Sequence, residues 1–196
     1  IGTRPDCLPE EVMEVLQRIN RKTFLNLEIG IESCYDRSLE MIHRGHTFAE
    51  TRDAFERASG RGIFTTGHLI IGLPGESREE ILNEAVILSG LPVNNLKFHQ
   101  LQIVKGTEMG EDYRKDSSNF KDISLEEYLE LMTGFIERLA PDIYVDRIAG
   151  ETVPEYNLRA SWGVRYDGIL KAFEEALEES GTWQGRIFKT EKHRKL

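Results

Sequence analysis

His68-Leu69-Ile70-Ile71-Gly72-Leu73-Pro74-Gly75-Glu76-Ser77 runs from an apolar, β-branched stretch through a glycine–proline turn to a helix start. Ser77 and Glu80 have the spacing of a capping box, and Ile81, Leu82, Ala85 and Leu88 follow at helical intervals. Strand, tight turn and helix in that order make the top of a β/α unit. Ligands bind at the carboxyl end of the strand in such units, because loops and helix N-termini supply unpaired donors there. Gly75 is expected at a positive-φ turn position and Ser77 at the cap. The same turn lets backbone approach a ligand closely.

Working outward, the pattern recurs. Strands are expected to start near Phe24, Ile63, Leu96 and Asp142, a regular recurrence that favours parallel β/α units. A first helix follows Pro9, with Glu10 and Glu11 in its first turn and Val12, Val15, Leu16 and Ile19 as its buried face; Asn20, Arg21 and Lys22 stop it. Asp36 is a candidate cap for a short helix that Gly45 breaks. Thr47 with Glu50 and Ser124 with Glu127 form two more capping boxes. The first opens a helix with the stripe Thr51, Ala54, Phe55 and Ala58, which Gly60 and Gly62 end. The second opens one with Tyr128, Leu129, Met132, Phe135, Ile136 and Leu139, which Pro141 ends. A helix over Arg78–Ser89 stops at Gly90, and a last one, carrying Ile169, Leu170, Phe173, Ala176 and Leu177, stops at Gly181. Residues 110–121 read as a mobile polar loop and residues 150–167 as irregular.

The strand over Phe24–Glu32 fixes the fold class. Leu25, Leu27, Ile29 and Ile31 share one face; Asn26, Glu28, Gly30 and Glu32 share the other. A parallel sheet covered by helices on both faces is apolar on both, whereas this one carries two carboxylates on one side. An α/β barrel explains that, with helices outside and polar groups pointing in towards a ligand; an antiparallel sheet with one solvated face is the alternative. The strand from Leu96 to Val104 alternates Lys97, His99, Leu101 and Ile103 against Phe98, Gln100 and Gln102, mixed on both faces.

The totals narrow the function. With 25 Lys and Arg against 34 Asp and Glu, the net charge of −9 argues against a general nucleic-acid binder, and the basic cluster from Lys189 to Lys195 reads as a solvated end. No apolar run reaches membrane-spanning length and no signal peptide is visible. Cys7 and Cys34 imply no disulfide framework, hence a reducing, cytoplasmic setting, and each reads as a small buried side chain. Nucleotide-binding glycine fingerprints, phosphate loops and zinc-spaced histidines are absent. An opening residue of Ile rather than Met, followed by a strand end, reads as a fragment of a longer protein.

Five motifs then occur in fixed order: Ile1-Gly2-Thr3-Arg4-Pro5-Asp6, Leu27-Glu28-Ile29-Gly30-Ile31-Glu32-Ser33, His43-Arg44-Gly45-His46, Leu69-Ile70-Ile71-Gly72-Leu73-Pro74-Gly75-Glu76, and His99-Gln100-Leu101-Gln102-Ile103-Val104-Lys105-Gly106-Thr107. Together they resemble the radical S-adenosylmethionine (SAM) enzymes, in the branch shared by elongator-type catalytic subunits and oxygen-independent coproporphyrinogen oxidases. YhcC-type iron–sulfur oxidoreductases are the nearest likeness, and it covers roughly residues 1–150.

The resemblance implies a partial TIM-type barrel of six β/α units, of which the strands ending at Ile1 and starting at Phe24, Ile63 and Leu96 are the third to sixth, so that residues 1–150 are expected to be half of the barrel and 151–196 a C-terminal extension. It implies a [4Fe-4S] cluster on a Cys-x3-Cys-x2-Cys motif, with SAM at the fourth iron. Reductive cleavage then gives a 5′-deoxyadenosyl radical that abstracts hydrogen from substrate, with an electron from flavodoxin or ferredoxin. Neither the cysteine motif nor the Gly-Gly-Glu contact to the SAM amino group is in this chain, so both are expected upstream of Ile1. Two cysteines cannot supply three thiolates, so the fragment alone is expected to be inactive while keeping half of the SAM pocket.

In that half, Glu32 is expected to accept from both hydroxyls of the ribose diol, and Arg44 to grip the methionine carboxylate through two parallel hydrogen bonds. The resemblance places His68 near the ribose, Ile103 along the adenine, and Thr3 and Arg4 at the third-strand position, where relatives often carry Glu in place of Gly2. Three other readings stay open. Glu32 and Arg44 form only an ion pair inside a barrel; the chain is a non-catalytic scaffold; or it is an ordinary barrel hydrolase or aldolase, for which only Glu28 with Glu32 speaks. Elongator-type relatives act on tRNA, which the acidic balance here does not support. Without its first strands, the sheet is expected to expose an edge prone to pairing with another chain.

Overall fold

Parallel pairing in strict chain order is what the alternating pattern builds. The computed structural model describes residues 1–151, 154–159 and 161–189. Five strands, β1 (Gly2–Thr3), β2 (Asn26–Glu32), β3 (Phe64–Ile71), β4 (Asn95–Gln100) and β5 (Tyr144–Arg147), form one sheet in the order β1-β2-β3-β4-β5. All four pairings are parallel. The connections are α1 (Glu10–Asn20), then α2 (Asp36–Met41) with α3 (Phe48–Ser59), then α4 (Arg78–Ser89), then α5 (Glu108–Lys115) with α6 (Leu125–Arg138); α7 (Tyr166–Glu179) follows β5. The architecture is a partial TIM-type barrel. No helix among the described residues is long and apolar enough to cross a membrane.

Leu27, Ile29, Ile31, Leu69, Ile71, Leu96 and Phe98 point to the helix-covered face and are buried with Phe55, Leu88, Met132 and Phe135. Phe98 meets Phe135 edge-on at 5.0 Å. Each such side chain contributes roughly 1.5–3 kcal/mol. All three capping boxes form, and each N-cap hydroxyl accepts the N–H of the residue three on while that residue's carboxylate accepts the N-cap N–H. Ser124→Ala should therefore cost about 1 kcal/mol, read as a lower denaturant midpoint with an unchanged slope.

Several expectations are corrected. In α1 the buried residues are Met13 and Leu16, while Val12, Val15 and Ile19 are each more than a third exposed; the helix carries apolar residues on two faces, and periodicity alone does not choose between them. Asp36 is not a cap. It lies inside α2 and accepts the N–H of Phe48 at 2.7 Å, tying α2 to the start of α3. The strand expected to reach Val104 ends at Gln100, because β3 turns away at Gly72 and only one further bond, from the Leu101 N–H to the Ile71 carbonyl, remains. The loop expected over residues 110–121 is largely helix α5, capped by Thr107 and charged to suit its dipole, with Glu108 and Glu111 first and Arg114 and Lys115 last. Helix α6 ends at Arg138, before Pro141. Cys7 is exposed; Cys34 is buried.

Gly75 does take the left-handed conformation, at φ 80°. Helix α7 packs its Ile169 and Phe173 into the common core. Behind it, Gln184 donates to the carbonyls of Ala140 and Ile143 at 2.8 and 2.7 Å. Beyond Lys189, the basic cluster lies outside the described residues.

Candidate functional site

The uncovered face of the sheet carries polar side chains in three tiers. At the lowest, Asn95 donates to Thr66, which donates to Asn26, at 3.1 and 2.9 Å. In the middle, Glu28 binds His68 Nε2 at 2.7 Å and Lys97 Nζ at 2.9 Å, and Lys97 reaches Asp146 at 3.3 Å. Burial pushes the Glu28 carboxyl up, but Lys97 and His68 outweigh it and hold it below its ordinary range. His99 stacks beside His68 with ring centroids 5.9 Å apart. Burial, then the neighbouring His68, Arg147 and Lys97, keep His99 neutral to lower pH than usual.

At the top, Arg44 Nη2 lies 2.8 Å from Glu32 Oε1, with the two side chains 26% and 15% exposed. Burial raises the Glu32 carboxyl above its ordinary range despite the opposing pull of Arg44 and His68. How the chain delivers this pair is unusual. Glu32 and His43 are the only non-glycine residues with positive φ among those described, at 62° and 51°. A hydrogen bond from the Ser33 N–H to the Ile31 carbonyl at 2.9 Å closes a three-residue turn centred on Glu32, the rare left-handed γ type. The β2–β3 register shifts at the same place. Around His43, the Arg44 N–H bonds the Leu39 carbonyl and the His43 N–H bonds the Glu40 carbonyl. That is a Schellman end to α2, with His43 where glycine is usual. Left-handed backbone costs a side chain about 1–3 kcal/mol, and both strained residues serve one ion pair.

The turn at Glu32 is anchored from α4. Glu84, fully buried, accepts the Cys34 N–H at 2.7 Å and faces the Ser33 hydroxyl at 3.2 Å; Glu76 takes the same hydroxyl at 2.6 Å. Burial first, and Glu76 second, push the Glu84 carboxyl up to about 8. Sequence reading missed Glu84, although it occupies a core position of the stripe Ile81, Ala85 and Leu88.

A cavity of about 450 Å³ lies over this face, lined by Gly2, Thr3, Glu28, Gly30, Glu32, Arg44, His68, Ile70, His99 and Gln100–Gln102, a volume within the usual range of roughly 300–1,000 Å³ for small-molecule sites. Thr3, Glu32, Arg44 and His68 are thus brought together. Two expected residues are not. Arg4 turns to Asp6, which lies two residues on and is close enough for an ion pair. Ile103, past the end of β4, is fully buried and outside the cavity wall, where Leu101 and Gln102 stand instead.

Two family models match this chain: that of the radical SAM superfamily over residues 1–85 and that of the Radical_SAM C-terminal domain over residues 93–179. The chain belongs to the radical SAM superfamily. YtqA, an uncharacterised protein of Bacillus subtilis, is 33% identical over 188 residues, which cover 96% of this chain. YhcC of Escherichia coli is 35% identical over 185 residues, 92% of this chain. The chain spans 58% of the length of each. Among solved structures, the archaeal Elp3 of Methanocaldococcus infernus superposes with a TM-score of 0.82 over 94% of this chain and 42% of that one, at 20% identity; this likeness shows the fold.

As a radical SAM chain, it should show residues suited to SAM and to a cluster. For SAM the fit is good: Arg44 Nε is buried without a hydrogen-bond partner among the described residues, and the space a side chain at position 30 would fill holds the ends of Arg44 and Glu32. For a [4Fe-4S] cluster the fit fails. Among the described residues no three His, Cys, Asp or Glu converge to hold a metal. Cys7 is exposed, and Cys34 lies buried beside Glu84, which raises its thiol well above the usual range after burial itself does so.

Proposed function

We propose that this chain is the SAM-binding wall of a radical SAM iron–sulfur oxidoreductase, whose cluster is held by cysteines on another stretch of the protein. By itself the chain should not cleave SAM. The observation that carries the reading is the strained, buried Glu32 held against Arg44 at the mouth of a cavity of nucleoside size. When bound beside a cluster, SAM supplies a 5′-deoxyadenosyl radical by reductive cleavage. This chain's part is to bind and orient. Glu32 accepts from the ribose hydroxyls, the free edge of Arg44 donates to the methionine carboxylate, and Thr3 and His68 close the sides. The electron comes from a small reductant such as flavodoxin or ferredoxin, in a cytoplasmic, reducing setting that keeps Cys7 and Cys34 as thiols.

Calorimetric titration tests the reading with two ligands. Arg44→Met should weaken SAM at least about tenfold, or 1.4 kcal/mol, and adenosine much less, since adenosine has no carboxylate and feels Arg44 only through Glu32. Glu32→Gln should weaken both. Because the ribose hydroxyls favour the ionised Glu32, whose carboxyl is raised in the free protein, SAM affinity should fall as pH drops through that carboxyl's titration. Wild-type protein that ignores SAM, or equal losses for both ligands in Arg44→Met, would sink the assignment.

A further inference from the structure

A second cavity, of about 1,020 Å³, opens beyond the ends of β3 and β4 and shares the wall Gln100, Leu101 and Gln102 with the first. Arg159 is its most constrained member. The side chain is 11% exposed, and its guanidinium lies 5.6 Å over the ring of Tyr113 from α5. Both Nε and Nη2 are buried and lack a hydrogen-bond partner among the described residues. Asp122 stands 3.0 Å from Nε but outside hydrogen-bonding geometry, and it is 80% exposed. So solvated a counter-ion holds Arg159 weakly, and buried guanidinium N–H groups left unbonded are costly.

The other charges on this wall do not compete for Arg159. Glu127 accepts the Ser124 N–H at 2.9 Å, and Glu151 accepts the Tyr166 N–H at 2.7 Å, so each caps the start of a fourteen-residue helix. Arg165 adds a second positive charge. On the shared wall, Gln102 donates to the Gly150 carbonyl at 3.2 Å, which leaves its Oε1 buried with no donor among the described residues. The missing partners are therefore an acceptor at one end and a donor at the other.

We propose that the second cavity binds a small anionic molecule, a carboxylate or phosphate ester seated on Arg159, with an N–H or O–H group towards Gln102. A planar, two-oxygen acceptor matches the guanidinium fork, and it displaces Asp122 to solvent. The site stands whether or not SAM fills the first cavity. If SAM does, the shared wall sets this ligand beside it as the substrate, and that step alone rests on the reading above.

Amide-detected NMR titration of the protein with inorganic phosphate and, separately, sodium acetate tests the site, with sodium chloride as the ionic-strength control. Saturable shifts confined to the second cavity are expected for at least one anion, and the tighter of the two tells phosphate from carboxylate substrates. Arg159→Lys should weaken binding about tenfold by replacing a fork with a point charge, and Arg159→Met should abolish it. Asp122→Asn should tighten it, the opposite of what a purely structural strut between Asp122 and Arg159 would give. Shifts that do not saturate, that chloride reproduces, or that survive Arg159→Met in a protein with a wild-type spectrum elsewhere would overturn the proposal. A SAM titration of Arg159→Met separates the two sites, since its first cavity should still respond.

Discussion

Glutamine in place of Glu84 is expected to remove a loss of stability that the wild-type protein shows as pH rises from about 4.5 to about 8. The limits are the ordinary Glu value and the one to which burial pushes Glu84. Between them the folded protein keeps a proton that the unfolded chain has released. Stability is therefore fully present below the lower value and drains away as pH climbs to the upper one, at about 1.4 kcal/mol per pH unit. The total is several kcal/mol, a large share of a domain's margin of roughly 5–15. The amide of Glu84→Gln keeps an acceptor for the Cys34 N–H and has no proton to lose. Glu80, held down to about 2 by Arg37 and the Ser77 N–H, acts only in acid. The histidines are common to both proteins, so the difference between the two curves reports Glu84 together with the neighbouring Glu76, whose carboxyl burial also raises. Denaturant midpoints at pH 5, 7 and 9 should diverge, with the glutamine variant the more stable at pH 9. Parallel curves would mean that Glu84 is ionised and satisfied in the fold. Glu84→Ala should be less stable than Glu84→Gln at every pH, because the Cys34 N–H is then buried without an acceptor, at about 1–3 kcal/mol.

The residues that support this prediction show where sequence reading stops. Rules that act within a few residues were legible: the alternation that puts Glu28 and Glu32 on one face of β2, the three capping boxes, and the turn at Gly75. Properties set by a neighbour in space were not. The length of β4 depends on where β3 turns away, and the buried face of α1 on which of two apolar stripes meets the sheet. That Glu32 and Arg44 share one pocket was expected from family resemblance, and their direct ion pair only as the alternative to it; no local rule links a strand end to a residue just past a helix. Left-handed backbone is signalled in sequence by glycine and, less strongly, by asparagine, aspartate and histidine, so His43 offered a weak signal and Glu32 none. Two signals were present and passed over. A glutamate in the apolar stripe of α4 marks a buried carboxyl in need of donors, and Thr107 with the charge order of α5 marks a helix despite its polar composition.

A single methyl group at position 30 should weaken SAM binding and spare the fold, while the same change at position 67, on the next strand, should do the reverse. Neither glycine has positive φ, so alanine fits both backbones and stiffens the unfolded chain by up to about 1 kcal/mol. What differs is the neighbour. A Cβ at Gly30 would overlap Arg44 Nη2 and stand 2.5 Å from Glu32 Oε1. Both atoms are the ends of flexible side chains that border an open cavity, and they can swing away cheaply. A Cβ at Gly67 would stand 2.5 Å from Ile31 Cδ1 and 3.1 Å from Leu96 Cδ2, inside the packed core, where overfilling costs about 1–3 kcal/mol. Gly30→Ala should therefore melt within a few degrees of wild type and bind SAM at least about tenfold more weakly. Gly67→Ala should melt lower and bind SAM as wild type does below its transition. The contrast isolates what the missing side chain at position 30 is for: it leaves room for a guanidinium and a carboxylate to cross the strand, and a Gly30→Ala protein with unchanged affinity would show that this pair braces the barrel and touches no ligand.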